Sequence, residues 1–390
     1  MVRPRPRPLP RFALIAAVLG AFAGIAPLAA QGSDALYSRV DAITGWEVRG
    51  YSFDPWTGAN AADQPKSVSE WSLPFVVAAP LTGRLSVDLA TRYARGEVES
   101  YSGDRATLRG FTDTQVRLLY TLNRDRLVGS LSFNLPTGKS TLDSSQFRVA
   151  GAISGNYLSF PVANFGTAFG VTGGLAYASH VGTWNLGISS SLRYLATFKP
   201  FLNSPVSYNP GVEGRVRVGA DRLLGSSSRL LLGLTMSTFS TDVYSGTSGF
   251  GPYGPGTRFI GELMFVRVVG RSTVTASAWN AYRLAGDSAG RPSPETKENV
   301  FNSELRVSYP VSPRVEVEPI VAFRQWSPAD YQGGRLGSGG LLVRGNLTDR
   351  LSATVQGRYD SGSIYSQSNG SAAATNLQGY GAAIFLRYER

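Results

Sequence analysis

Apolar and polar residues alternate along most of the chain from Trp46 onward. Along 212–221, apolar or small residues are separated by Glu213, Arg215, Arg217, Gly219 and Asp221. The same alternation runs through 85–93, 301–309, 351–360 and 380–388. A period of two predicts β-strands with one apolar face and one polar face.

The segments between these strands alternate in length, which separates a membrane barrel from a soluble sandwich. Short turns occur at 82–84, 123–126, 180–182, 224–229, 269–271, 311–314 and 348–350. They alternate with long connections at 54–67, 96–112, 136–163, 199–210, 242–256, 287–297, 328–335 and 363–376. Short turns at one end and long loops at the other are typical of outer-membrane barrels. Lipid cannot form hydrogen bonds with the backbone N–H and C=O groups of an open strand edge, so such a sheet must close on itself.

The pattern therefore predicts an all-β fold, a transmembrane antiparallel up-and-down β-barrel of about 16 strands. Two strands are weakly marked, which leaves 14 strands as the alternative. Trp46–Phe53 carries Glu47 and Arg49 and could instead be a plug or a periplasmic tail. The other weak strand, the fourteenth, is rich in glycine along Gly333–Gly340, and Pro74 predicts a bulge or kink in the second strand.

The N-terminus predicts export. Residues 1–30 combine an arginine-rich start, an apolar stretch over Phe12–Leu28 and small residues before Gln31, as in a cleaved signal peptide. The alternative is a retained membrane helix. The predicted barrel domain is 31–390, located in the outer membrane of a Gram-negative-type cell. Its expected partners are outer-membrane lipid, a small organic solute and the barrel-assembly machinery.

The composition and motifs exclude several kinds of catalytic and metal-binding site. The chain has no cysteine and one histidine, so thiolate chemistry and histidine metal clusters are excluded. His180 falls in a predicted periplasmic turn, and Gly138-Lys139-Ser140 lacks the earlier glycine of a phosphate-binding loop because Phe133 occupies that position. The net charge of +11 is dispersed, which argues against nucleic-acid binding. We expect no enzymatic activity, no metal and no cofactor.

The polar faces of the strands carry the candidate site residues. Arginines and acids fall opposite the apolar stripe and are predicted to line the pore: Arg92, Arg117, Arg193, Glu213, Arg215, Arg217, Glu304, Arg306, Arg324 and Arg358. Guanidinium groups without partners would attract organic anions, whereas paired ones would only solvate the lumen. Arg215 and Arg217, with Glu213 and Asp221 as local acids, predict a preference for anions.

The long loop 136–163 turns small and apolar after Gln146, which predicts that it folds into the barrel mouth as a constriction. The loops at 201–210 and 244–256 carry aromatic residues that either contact aromatic solutes or cover the surface: Phe201, Tyr208, Tyr244, Phe250 and Tyr253.

Short motifs give a family resemblance. Residues 133–139 (FNLPTGK) and 164–170 (NFGTAFG), with Tyr208–Gly211 and Gly254–Gly256, resemble outer-membrane transporters of the meta-pathway phenol degradation group. That group is distantly similar to the fatty-acid and toluene transporter barrels. The resemblance implies a barrel that passes small hydrophobic or aromatic compounds, although the arginine-rich lumen departs from a hydrophobic conduit.

The predicted function is therefore passive uptake of small organic solutes through an outer-membrane channel or transporter, with aromatic or hydrophobic carboxylates as candidate solutes. A non-transporting structural or adhesin-like barrel is the alternative. A barrel enzyme is disfavoured by the position of the single histidine.

Overall fold

A computed structural model describes residues 40–57, 64–122, 126–155, 157–246, 251–288, 291–292, 297–328, 333–368 and 371–389. The predicted signal peptide and its cleavage site lie outside these ranges. None of the helices in the described ranges has the length and hydropathy to cross a bilayer.

One antiparallel sheet forms the body of the molecule. Its strands are β1 (Asp41–Phe53), β2 (Pro65–Pro80), β3 (Leu85–Ser100), β4 (two segments, Arg105–Phe111 and Thr114–Leu122), β5 (Leu127–Leu135), β6 (Gly170–Val181), β7 (Trp184–Leu195), β8 (Glu213–Leu224), β9 (Ser228–Phe239), β10 (Arg258–Val269), β11 (Ser272–Arg283), β12 (Glu298–Ser312), β13 (Val315–Pro328), β14 (Gly334–Asn346), β15 (Leu351–Ser368) and β16 (Ser371–Glu389). Short loop strands lie at Ser207–Asn209, Val243–Ser245, Tyr253–Gly254, Asp287–Ser288 and Arg291–Pro292.

The sheet closes because its last strand pairs with its first. Each strand pairs with the next, and β16 pairs with β1 from Asp41–Glu389 to Phe53–Leu377. Counting the two segments of β4 as one strand, the closed barrel has 16 strands, as the alternation predicted, and the 14-strand alternative is wrong. Both weakly marked segments are barrel strands, since Glu47 lies on β1 and the glycine-rich stretch lies on β14.

Two predicted long connections are wrong. The segment 96–112 is mostly a hairpin, in which Glu99 pairs with Arg105 and Tyr93 pairs with Phe111. The segment 363–376 likewise consists almost entirely of the paired ends of β15 and β16. In the first hairpin the apolar residues, such as Val98 and Leu108, face inward to the core and the charged residues alternate with them on the outward face, which is the reverse of the pattern in the other strands. The second hairpin is mostly polar or small on both faces, so it lacks the apolar stripe by which strands are recognised in sequence.

The predicted bulge at Pro74 is also absent from the described sheet. Pro74 lies within a continuous β2, opposite Arg92 of β3. On the other side, the pairing with β1 has the same register before and after the proline, with Thr44 opposite Phe75 and Glu47 opposite Ser72. The missing N–H of proline therefore interrupts hydrogen bonding without inserting a residue.

The two faces of the sheet differ as the sequence predicts. Apolar side chains on the outward face are strongly exposed, among them Leu192 at 65%, Val321 at 64% and Tyr380 at 61%. Directly paired residues of antiparallel strands project to the same face, so the outward row continues from strand to strand. In a bilayer this face contacts lipid, and the opposite face, which carries most of the arginines and acids of the strands, lines the lumen.

The connection between β5 and β6, residues 136–169, contains the longest helix of the described chain, α1 (Ser144–Ser154). Asp143 begins the helix through a capping box, in which its side chain accepts from the backbone of Gln146 and the Gln146 side chain accepts from the backbone of Asp143. We call residues 138–167 the plug. Its apolar residues and the inward residues of nearby strands form the main hydrophobic core.

The barrel lumen as candidate functional site

The plug covers one side of the lumen with apolar contacts. Val149 and Ile153 of α1 are 0% and 1% exposed and pack in one cluster with Ala94, Val98 and Leu108 of β3 and β4. Gly96 leaves the space for this contact, because a Cβ atom there would lie 2.9 Å from Val149 Cγ1. The helix is therefore seated directly on the wall.

Polar contacts fix the second half of the plug. The Tyr51 hydroxyl lies 2.8 Å from the Leu158 carbonyl oxygen and 2.9 Å from Asp360 Oδ2. The Arg324 guanidinium donates to the Tyr157 carbonyl at 2.9 Å. These groups come from β1, β13 and β15, so the plug connects distant parts of the wall.

Three further contacts attach the same segment. The Tyr157 hydroxyl donates to the Ser363 carbonyl at 2.8 Å, and burial raises the pKa of this phenol, so it remains a neutral donor. The Val162 N–H donates to Glu70 Oε1 at 2.8 Å. Arg92 donates to the Pro161 carbonyl at 3.1 Å. Breaking such a contact costs free energy because it leaves a buried or half-buried polar group without a hydrogen-bond partner.

The wall formed by β7 to β10 differs from the wall behind the plug. Several of its long inward side chains reach solvent, with 40% of the Arg193 side chain, 39% of the Glu262 side chain and 37% of Ile260 exposed, whereas the short ones between them, such as Ser189 at 3% and Thr235 at 7%, are buried. The inward residues behind the plug are closed to solvent, as Val68 at 1% and Leu336 at 0% show. The lumen is thus filled on one side and solvent-accessible on the other.

Most of the predicted arginines have carboxylate partners. Arg117 Nε donates to Asp88 at 2.8 Å, and Arg92 contacts Glu47 at 2.5 Å. Further pairs on the inward face include Arg358 with Asp360 at 2.7 Å, Arg306 with Glu304 and with Glu318, Arg344 with Glu316 at 3.6 Å and Arg387 with Asp41 at 2.7 Å. Paired guanidiniums solvate and brace the lumen more than they attract anions.

The expected partners of Arg217 need correction. Asp221 binds Arg229, with two contacts at 2.6 and 2.7 Å, and Arg217 contacts Glu262 of β10 at 2.6 Å. Glu262 lies two strands away from Arg217, so a search for local acids along the chain does not find it. Arg217 is consequently a weaker candidate for anion binding than its sequence neighbours imply.

A group of arginines with fewer carboxylates around it lies at the loop end of the wall formed by β7 to β10. The arginine cluster consists of Arg193, Arg215, Arg258 and Arg283, on β7, β8, β10 and β11. Arg258 is paired directly with Arg283, and both Arg258 and Arg215 are paired with Ser237. The neighbouring acids are Glu213, which lies 2.6 Å from Arg215 and 3.8 Å from Arg193, and Glu298, which lies 3.2 Å from Arg283. Among the described residues of this group, two carboxylates lie beside four guanidiniums, so the group itself carries a net positive charge.

Sequence reasoning found Arg193, Glu213 and Arg215 but missed the rest of this group. Arg258 and Arg283 are the terminal residues of their strands, where alternation gives little information. The alternation of Phe259, Leu263 and Phe265 along β10 is the signal that would have placed Glu262 on the inward face. Glu70 was also missed, although Trp71, Leu73 and Phe75 alternate with it and place it on the inward face.

The aromatic loop residues pack on one another or on the plug. Tyr208 stacks on Tyr244 at 4.7 Å, and Phe201 stacks on Phe147 of α1 at 4.9 Å. Tyr253 pairs with Asp242, whereas Phe250 lies outside the described residues. His180 is the penultimate residue of β6, with its Nδ1 atom 3.0 Å from Asn185 Oδ1. The stacking explains these aromatics structurally, and their contact with solutes stays a prediction.

Comparison with known proteins gives similarity only at the level of solved structures. No protein-family model and no curated protein matches the chain, so membership of the phenol degradation group stays a prediction. The toluene transporter TodX of P. putida is 10% identical, with a TM-score of 0.43 over 92% of this chain and 94% of that one. A Pseudomonas aeruginosa FadL homologue is 8% identical, with a TM-score of 0.43 over 90% of each chain. The outer-membrane expressed OmpT of Vibrio cholerae is 9% identical, with a TM-score of 0.40 over 92% of this chain and 99% of that one.

Proposed function

We propose that the protein is an outer-membrane channel for passive uptake of small organic solutes, which pass between the plug and the wall formed by β7 to β10. The observation that carries this proposal is the contrast in exposure within one lumen. Val68 and Leu336 behind the plug are at most 1% exposed, whereas the Arg193 side chain on the opposite wall is 40% exposed. A purely structural barrel has no need for a solvent-accessible charged wall beside a packed plug.

The charge at the mouth favours anionic solutes, with carboxylates as the preferred class. Arg193 shares Glu213 with Arg215 and lies farther from it, at 3.8 Å against 2.6 Å. A carboxylate entering the mouth can accept two hydrogen bonds from the Arg193 guanidinium. At about 4 Å in water a unit charge pair contributes about 1 kcal/mol, so each arginine raises the local anion concentration about fivefold at low salt.

The test is the reversal potential across a planar bilayer under a salt gradient. We expect anion selectivity that weakens as salt rises, because the Debye length falls from about 10 Å at 0.1 M to about 3 Å at 1 M. The double variant Arg193→Ser with Arg258→Ser should lose most of this selectivity. The matched control is Arg267→Ser, which removes an exposed arginine from the outward face.

Two outcomes contradict the proposal in different ways. Absence of conductance from a correctly folded barrel would favour the structural or adhesin-like alternative. A cation-selective channel, or a double variant that matches Arg267→Ser, would retain the channel and reject the arginine cluster as its anion site.

A further inference from the structure

The two ends of the plug meet at the interruption of β4, between Phe111 and Thr114. Asp113 Oδ1 accepts from the Gly138 N–H at 3.1 Å, and Asp113 Oδ2 accepts from the Thr167 N–H at 2.7 Å. Gly138 follows β5, and Thr167 precedes β6. One carboxylate therefore holds both ends of a segment of about thirty residues, the plug itself.

Side chains strengthen this junction. Asp113 Oδ2 also accepts from the Thr167 hydroxyl at 2.9 Å and from Asn134 Nδ2 at 2.7 Å. The Thr137 hydroxyl accepts from the Thr114 N–H at 2.8 Å and lies 3.1 Å from the Thr112 carbonyl oxygen. Hydrogen bonds to a carboxylate are roughly twice as strong as those between neutral groups, so Asp113 dominates the junction.

Two glycines allow the chain ends to touch. A Cβ atom on Gly138 would lie 2.0 Å from the Phe165 carbonyl oxygen, and one on Gly166 would lie 2.7 Å from the Gly138 carbonyl carbon. Any larger residue would separate the two ends and pull the donors away from Asp113. The motifs 133–139 and 164–170, which take no part in the arginine cluster, supply all the donors described above except the Thr114 N–H.

We propose that Asp113 is a positioning residue. Its contacts with Gly138 and Thr167, here called the clasp, hold together the neck of the plug, where its two ends meet. They thereby keep the plug as a fixed inner wall of the solute passage. The link to the passage rests on the proposed function, whereas the clasp itself does not. Contacts along the plug, such as Val149 on Gly96, position its body. The Asp113 clasp fixes where that body begins and ends, so releasing the neck removes part of the total restraint and raises the population in which the plug leaves the wall.

The first test measures plug release without reference to conduction. The chain has no cysteine, so Val149→Cys gives a single thiol at a fully buried position. Asp113→Ala should raise the rate of labelling by a water-soluble maleimide about 100-fold or more, because at least two charge-assisted hydrogen bonds are lost. Thr167→Val, a milder change, should raise it about tenfold. The matched control is Asp242→Ala, which removes a carboxylate that accepts from the Gly211 N–H at 2.7 Å outside the plug.

The second test joins the clasp to the passage. In planar bilayers, Asp113→Ala should give larger and fluctuating conductance. A Cβ atom on Gly96 would lie 2.9 Å from Val149 Cγ1, the position that a cysteine sulfur would take, so Gly96→Cys with Val149→Cys can form a disulfide. Oxidising this pair in the Asp113→Ala chain should restore the steady wild-type conductance, and reduction should reverse it.

The outcomes separate the two proposals. Labelling that both Asp113→Ala and Thr167→Val leave unchanged, in barrels with normal heat-modifiable mobility, overturns the clasp. Faster labelling in a protein whose wild type does not conduct supports the clasp and rejects the channel. Faster labelling with a conductance that stays steady in Asp113→Ala rejects the plug as a wall of the passage.

Discussion

The Tyr51 hydroxyl is the contact whose removal most directly tests how the plug is held. Tyr51 is 2% exposed, and its one hydroxyl proton is shared between the Leu158 carbonyl at 2.8 Å and Asp360 at 2.9 Å. Tyr51→Phe retains the ring, which packs edge-on against Phe160 with centroids 5.5 Å apart. The loss is therefore that of one buried hydrogen bond with a charged acceptor in reach, about 1.5 kcal/mol. That amount corresponds to about a tenfold increase in the population with the plug released.

Maleimide labelling of Val149→Cys reports this population. When opening is fast and reversible, the labelling rate equals the open fraction multiplied by the rate for an exposed thiol. Tyr51→Phe should therefore label about tenfold faster than the parent carrying only Val149→Cys. Tyr51→Ala also removes the ring and leaves a cavity worth about 3–5 kcal/mol, so it should label more than a hundredfold faster.

The matched control is Tyr380→Phe, which removes the same hydroxyl from an outward tyrosine that is 61% exposed. This change should leave the labelling rate within about twofold of the parent, because the hydroxyl has no role in the lumen. Equal labelling in the Tyr51→Phe and Tyr380→Phe proteins would refute the conclusion that Tyr51 holds the plug to the wall.

Two further predictions concern the helix seat and the outward face. Gly96→Ala should weaken the seating of α1 by about 1–3 kcal/mol, and adding Val149→Ala should recover part of the loss. A double-mutant cycle, read out by maleimide labelling of Ile153→Cys, measures this recovery. Purely additive effects would argue against direct contact between the two positions. Ile188→Arg, on an outward side chain that is 51% exposed, should destabilise the barrel by about 2–4 kcal/mol in lipid, measured by denaturant unfolding in vesicles. The same change at Leu202, a loop residue that is 53% exposed, should have little effect, and equal losses at both sites would contradict a lipid-facing role for Ile188.

The period of two was sufficient to predict the barrel, because each membrane strand must present apolar side chains to lipid and polar ones to the lumen. It placed Arg193, Arg215 and Glu213 correctly on one face. It failed at the hairpin over 96–112, where Val98 and Leu108 face the plug and the charged residues face outward, the reverse of the pattern expected for a strand in lipid. It also failed at Pro74, where a bulge or kink was predicted and the strand continues without an inserted residue. The missing N–H of a proline does not show which of these a strand will adopt.

The sequence by itself determined the barrel class, the apolar face and the placing of the predicted arginines on the opposite face, because alternation is a local property of the chain. The choice of 16 strands over 14 came from the closed sheet. Only the tertiary structure decided which acid neutralises each arginine. Glu262 reaches Arg217 across two strands, and Asp113 meets Gly138 and Thr167 from separate segments. Closure of the sheet and the register of its strands create these contacts, and neither distance along the chain nor residue type encodes them.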